Sequence, residues 1–142
     1  MVTYVLMISE LFPASHIRAG QQTEFPFLIE KHEKIHTLRG NYELWEKRFR
    51  KIEKNEAQLS IRVWTGRPYM SPQKELFILY KSDGIGLEKL QFDPVLGWFI
   101  NDIDSDIKTS DLAKNDGLSL SDFKSWFKKY DLSDPLAIIH LS

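Results

Sequence analysis

The chain predicts a small α+β fold, a mixed β-barrel flanked by helices. Three observations carry that reading. Short β-type segments lie mostly next to one another in the sequence. Amphipathic helical segments are inserted between them. No strand–helix alternation is regular enough for a doubly wound sheet. The 142 residues suffice for one domain, 1–142, with its own core.

The elements follow in order. Residues 3–8 are apolar and β-branched enough for a first strand. Pro13 and Gly20 punctuate a loop over 12–22. Thr23 is placed to cap a short helix running to Lys31, with Pro26 tolerated in its first turn. Residues 34–39, Lys-Ile-His-Thr-Leu-Arg, read as a short strand. Gly40-Asn41 turns the chain into a helix over 42–54, where Tyr42, Trp45, Phe49 and Ile52 make one apolar stripe.

Residues 57–64 alternate between apolar and polar, the pattern of a half-buried strand. A loop over 65–72 holds Gly66, Pro68 and Pro72. Residues 75–81 are apolar on both faces and read as a central strand, joined to the previous one in a long-tipped hairpin. Residues 86–92 and 97–100 are two further strands, separated by Asp93-Pro94. An acidic loop covers 101–108, and a short helix covers 110–114. Ser119 with Asp122 is a capping signature for a helix to about Tyr130, striped by Leu118, Phe123, Trp126 and Phe127. Pro135 opens a closing strand, 136–141.

Composition narrows the classes. Hydrophobic residues at 42% and charged residues at 27% describe an ordinary soluble globule. There is no cysteine, which removes disulfides and thiolate metal sites and fits a reducing compartment. The N-terminus lacks a basic flank and a small-residue cleavage site, and no apolar run is long enough to cross a bilayer. A cytoplasmic protein is expected, with no membrane partner. Nothing in the sequence calls for an oligomer, so a monomer is expected. Charge is unevenly spread: residues 31–54 sum to +4, whereas the stretch from Gly84 onward sums to −4. A basic patch on a near-neutral chain can attract phosphate, although Glu–Lys pairing on a solvated helix face explains such runs more often.

Three segments resemble the ASCH family of the PUA-like superfamily. Lys34-Ile35-His36-Thr37-Leu38-Arg39 after a helix is similar to that family's Gly-x-Lys-x-x-Thr/Glu-x-Arg box. The strand pair at 57–64 and 75–81 follows. Ala113-Lys114-Asn115-Asp116-Gly117-Leu118, before an aromatic helix, resembles its Ala-x-x-Asp/Glu-Gly-Phe element. The tract from His36 to Pro72 resembles a subgroup of phage- and mobile-element-associated members. The resemblance implies a PUA-like barrel with a cleft lined by the box, binding RNA or modified nucleosides. One branch, the bacterial 4-acetylcytidine amidohydrolases, pairs a Lys-x-x-Thr-x-Arg box with a strand glutamate. The corresponding residues here are Lys34, Thr37, Arg39 and Glu75. The chain departs from the pattern at His32, which stands in place of the glycine two residues before the lysine. The helix before Lys34 is therefore expected to end differently.

Three functions follow as expectations. In the first, RNA or a nucleoside binds in a basic cleft. Lys34, Thr37 and Arg39 contact it, Tyr42, Trp64 or Tyr69 stacks on a base, and Arg62 and Arg67 extend the track. In the second, an amidohydrolase acts on an acylated cytidine: Lys34, lowered in pKa by desolvation, acts on Thr37 or a water, and Glu75 moves protons. That arrangement requires Lys34 to precede the strand, because positions 34 and 37 of one strand face opposite ways. In the third, the acidic 101–106 loop is a handle for a protein partner. His32 and His36 are four apart, but straddle a helix end and a strand start, so no metal and no cofactor is expected.

Overall fold

The computed structural model covers residues 1–142 and contains two sheets and four helices. The first sheet has three strands: β1 (Val2–Met7), β3 (Ala57–Trp64) and β4 (Gln73–Leu79). β1 runs parallel to β3, and β4 returns antiparallel on the other side of β3, giving the order β1-β3-β4. The second sheet is ordered β2-β8-β5-β6-β7 and is antiparallel throughout. Its strands are β2 (His36–Arg39), β8 (Leu136–His140), β5 (Gly86–Asp93), β6 (Gly97–Ile100) and the two-residue β7 (Ile103–Asp104). The helices are α1 (Phe25–Glu30), α2 (Tyr42–Glu53), α3 (Thr109–Asn115) and α4 (Leu120–Phe127).

The chain is therefore mixed α+β, with helices inserted among short strands, as its sequence predicts. The apolar positions of the alternating β3 stretch, Leu59, Ile61 and Val63, are buried. So is the α2 stripe of Trp45, Phe49 and Ile52. A single cluster of 25 buried apolar residues joins these to Leu6 and Ile8 of the first sheet and to Ile138 and Ile139 of the second. β8 is the most enclosed strand, because it lies between β2 and β5 and carries Leu136-Ala137-Ile138-Ile139.

Several expectations are corrected in detail. β2 starts at His36, so Lys34 and Ile35 lie in the connection before it. α1 starts after a left-handed Glu24 rather than at Thr23, and the Thr23 hydroxyl accepts from the Phe25 amide at 3.2 Å. α4 stops at Phe127, short of Tyr130. The acidic 101–108 stretch is not wholly a loop, since Ile103–Asp104 pairs with β6. The largest correction concerns β4. Its two apolar faces suggest a central strand, yet it pairs only with β3 and forms the edge of its sheet.

Candidate functional site

The site grows from two helix ends of the same kind. At the end of α1, the His32 amide donates to Ile29 O and the Glu33 amide to Leu28 O, with His32 left-handed at φ 58°. At the end of α3, the Gly117 amide donates to Lys114 O and the Leu118 amide to Ala113 O, with Gly117 at φ 74°. Both are Schellman caps. His32 therefore adopts the backbone that a glycine would, contrary to the expectation that the helix ends differently. It does so at a cost of about 1 kcal/mol for a left-handed L-residue. The Ile35 amide then donates to Asn115 O at 2.9 Å, tying one helix end to the other.

This arrangement faces Lys34 with Asp116. The ammonium forms a salt bridge with Asp116 Oδ1 and donates to the Asp116 carbonyl at 2.8 Å. It also lies 4.0 Å from the centre of the Phe25 ring, whose face attracts a cation. Lys34 is only 2% exposed, and Asp116 is equally enclosed. Close packing demands a glycine after the aspartate. A Cβ on Gly117 would come within 3.1 Å of both Lys34 Cβ and Leu28 Cδ1. Burial pulls the lysine pKa below its ordinary value, with Asp116 opposing. Burial also lifts the Asp116 carboxyl above its ordinary value, with Lys34 opposing. Desolvation thus favours the neutral form of each group, and their mutual contact opposes it.

Because Lys34 precedes the strand, it shares a cavity with Thr37 and Arg39. The Arg39 guanidinium donates to Met7 O at 2.7 Å and to Leu38 O at 3.2 Å, bridging the two sheets. Burial lowers its pKa, and Asp116 opposes that shift. Its other N–H groups bond to nothing in the chain. Thr37 is buried as a residue, but its hydroxyl, which makes no hydrogen bond within the chain, lines the cavity and is not sealed from solvent. The space is about 20 Å³, room for one water. Phe25, Trp126 and Phe127 form its apolar wall.

That wall is held from outside. The Trp126 ring meets Phe25 at 5.5 Å, Phe12 at 5.6 Å and His16 at 5.8 Å. His16 accepts from the Arg18 amide at Nδ1, so Nε2 carries the proton donated to Asp122 O at 2.9 Å. Arg18 also pairs with Asp122 at 2.7 Å. On the far side of Leu38 and Phe127 lies a second hollow of about 190 Å³, ringed by Phe92, Trp98, Phe123 and Leu136. Its volume suits one aromatic ring.

The remaining candidates are elsewhere. Glu75 does not meet Lys34: its carboxylate accepts from Ser60 Oγ at 2.5 Å and lies 3.9 Å from Arg62. A bulge between Ile61 and Arg62 sets this register, opposing Glu75 to Arg62 on the outward side of the first sheet. Arg62 is further occupied with Ser60 at 2.9 Å and Gln73 at 3.0 Å. Trp64 and Tyr69 pack against each other in the hairpin tip with tilted rings 5.2 Å apart, and Arg67 is exposed there. Tyr42 faces an open groove with Glu46 and Arg50. None of these six residues lines the Lys34 cavity. The basic helix α2 is partly neutralised, with Arg50 on Glu46 at 2.5 Å and Arg48 over Trp45 at 4.7 Å. In the acidic stretch, Asp102 pairs with Lys89 at 3.0 Å.

The acid missing from the expected set is Asp116. Its sequence signal was the Asp116-Gly117 pair ending α3, since a glycine there announces a tight helix end. No protein-family model, curated protein or solved structure matches the chain.

Proposed function

We propose that the chain binds RNA or a modified nucleoside through Lys34, Thr37, Arg39 and Asp116, on a PUA-like fold of the ASCH type. One observation carries the reading. The Thr37 hydroxyl and the remaining guanidinium N–H groups of Arg39 make no hydrogen bond within the chain and line a small cavity that solvent reaches, beside a charged pair. Polar groups that converge unspent on one cavity with apolar walls mark a place suited to a polar ligand. Two of the family-like boxes, residues 34–39 and 113–118, are also the two that pack together here.

The apo cavity takes one water, so a base enters when Phe127 moves aside. Phe127 is the last residue of α4, and residues 128–135 form neither helix nor strand. The ring-lined hollow beyond it, with Trp98 and Phe92, then receives the base face. That role replaces the stacking expected of Tyr42, Trp64 or Tyr69. Nucleoside and RNA titrations of the isotope-labelled chain, followed by NMR, test this. Shifts centred on 34–39, 116–118 and 126–127 are expected. Arg39→Gln weakens binding by about tenfold or more, the worth of a charged hydrogen bond, and flattens the salt dependence. Unchanged affinity rejects the site.

A second reading is favoured by the Lys34–Asp116 contact itself. A desolvated lysine beside a carboxyl, with a free threonine hydroxyl in the same cavity, suits hydrolysis of an acylated cytidine. In it Asp116, not Glu75, handles the proton. Acetate release from 4-acetylcytidine, lost in Lys34→Met, is the expected result. No release by the intact chain rejects this reading and leaves the binding reading standing.

A further inference from the structure

Close-packed interiors leave few voids larger than a water molecule. The hollow beyond Leu38 is an exception, with about 190 Å³ of free space and mostly apolar walls. Two aromatic pairs bound it: Phe92 with Trp98, ring centres 4.8 Å apart, and Phe123 with Phe127 at 4.7 Å. Such walls receive a further ring in tilted or offset contact. Two polar side chains reach the hollow, and both offer protons. Trp98 Nε1 donates to the Thr109 hydroxyl at 3.0 Å, and that hydroxyl's own proton is accepted by no group of the chain. The Lys124 ammonium, exposed at the mouth, makes no ion pair and no hydrogen bond within the chain. No carboxylate lines the hollow. The acids of α3 and α4 are spent elsewhere, Asp111 on the Lys108 amide at 2.9 Å and Asp122 on Arg18 at 2.7 Å.

We propose that this hollow binds a small aromatic carboxylate, one ring on a short acid arm. The ring fills the space between the two aromatic pairs. The carboxylate accepts from Thr109 and pairs with Lys124 at the mouth. An apolar cavity of about 150 Å³ takes benzene, so a ring fits here with room for the arm. One unopposed cation and one free hydroxyl proton select an anion over a neutral guest. Base entry into the Lys34 cavity displaces Phe127, whereas this guest packs against Phe127 where it stands. The inference therefore goes beyond the nucleoside reading and does not rest on it.

Phenylacetate and its neutral isostere phenylacetamide, titrated into the isotope-labelled full chain and followed by NMR, test it. Phenylacetate is expected to shift the Trp98 indole N–H and the amides of Thr109, Lys124 and Phe127, and to leave those of residues 34–37 in place. Phenylacetamide binds about fivefold more weakly, the upper worth of one exposed ion pair. Lys124→Met weakens phenylacetate by the same factor and leaves phenylacetamide unchanged. Because Lys124 is exposed, this variant keeps the far-UV circular dichroism of the parent. Leu132→Trp, which fills the hollow from its half-buried lip, removes binding of both compounds. The absence of any shift at millimolar phenylacetate overturns the proposal. So does equal affinity for acid and amide, parent affinity in Lys124→Met, undiminished binding by Leu132→Trp, or shifts centred outside the hollow.

Discussion

The Lys34–Asp116 pair and the Arg62–Glu75 pair are built from the same chemistry and placed in opposite surroundings. Lys34 and Asp116 are delivered by two helix caps, sealed by Phe25 and Gly117, and almost wholly removed from water. Arg62 and Glu75 sit on the outward side of a sheet, 3.9 Å apart and partly solvated. Water screens the second pair, so its net worth is small. The first pair has lost its hydration, so each charge depends on the other. Burial, rather than residue type, therefore makes one of them a candidate site. It also separates a catalytic set that the sequence had drawn as Lys34 with Glu75.

Breaking the pairs one at a time tests the contrast most strongly. Lys34→Met strands a buried carboxylate and should cost about 3–5 kcal/mol in urea unfolding. Adding Asp116→Leu should return most of that stability, because two apolar side chains leave no orphan charge. Arg62→Met should cost less than about 1 kcal/mol. Equal losses from Lys34→Met and Arg62→Met would erase the distinction between the regions.

The next effect lies behind the buried pair. His36 donates from Nε2 to Leu112 O at 3.1 Å, and burial holds its pKa down to about 4. The unfolded chain takes up that proton near pH 6.5, whereas the folded chain refuses it until about pH 4. Stability is therefore full above pH 6.5 and falls as the pH drops through that window, by about 3 kcal/mol. His36→Gln should flatten this acid limb in unfolding curves collected from neutral to acidic pH. An unchanged limb would assign it to another group.

The smallest effect refines the cap. His32→Gly should stabilise the fold by up to about 1 kcal/mol, because glycine takes a left-handed backbone without strain. Its flexible unfolded chain offsets part of that gain. A melting temperature that falls instead would show that the imidazole contributes more than the backbone strain costs.

The parts of the fold legible in the sequence were those specified by local pattern. Tyr42, Trp45, Phe49 and Ile52 announce α2 by spacing alone, and Leu59, Ile61 and Val63 announce β3. Ser119 caps α4 through the Asp122 amide at 3.1 Å, as its capping signature predicts. The 34–39 box marked one half of the candidate site. The other half was on the page but unconnected, because Lys34 and Asp116 are 82 positions apart and nothing in a single sequence links them. The family resemblance puts Glu75 in that role, and the β3–β4 bulge turns it outward.

Sequence alone determined the helices, most strand limits and the apolar faces, since these follow from repeats of two and of about 3.6 residues. Only the tertiary structure decided which polar groups lose water together. Desolvation depends on neighbours in space, and those neighbours come from two helix ends joined by the Ile35–Asn115 hydrogen bond. The same holds for β4. Its residues were readable as a strand, but its missing second neighbour belongs to the sheet order, which no local pattern encodes.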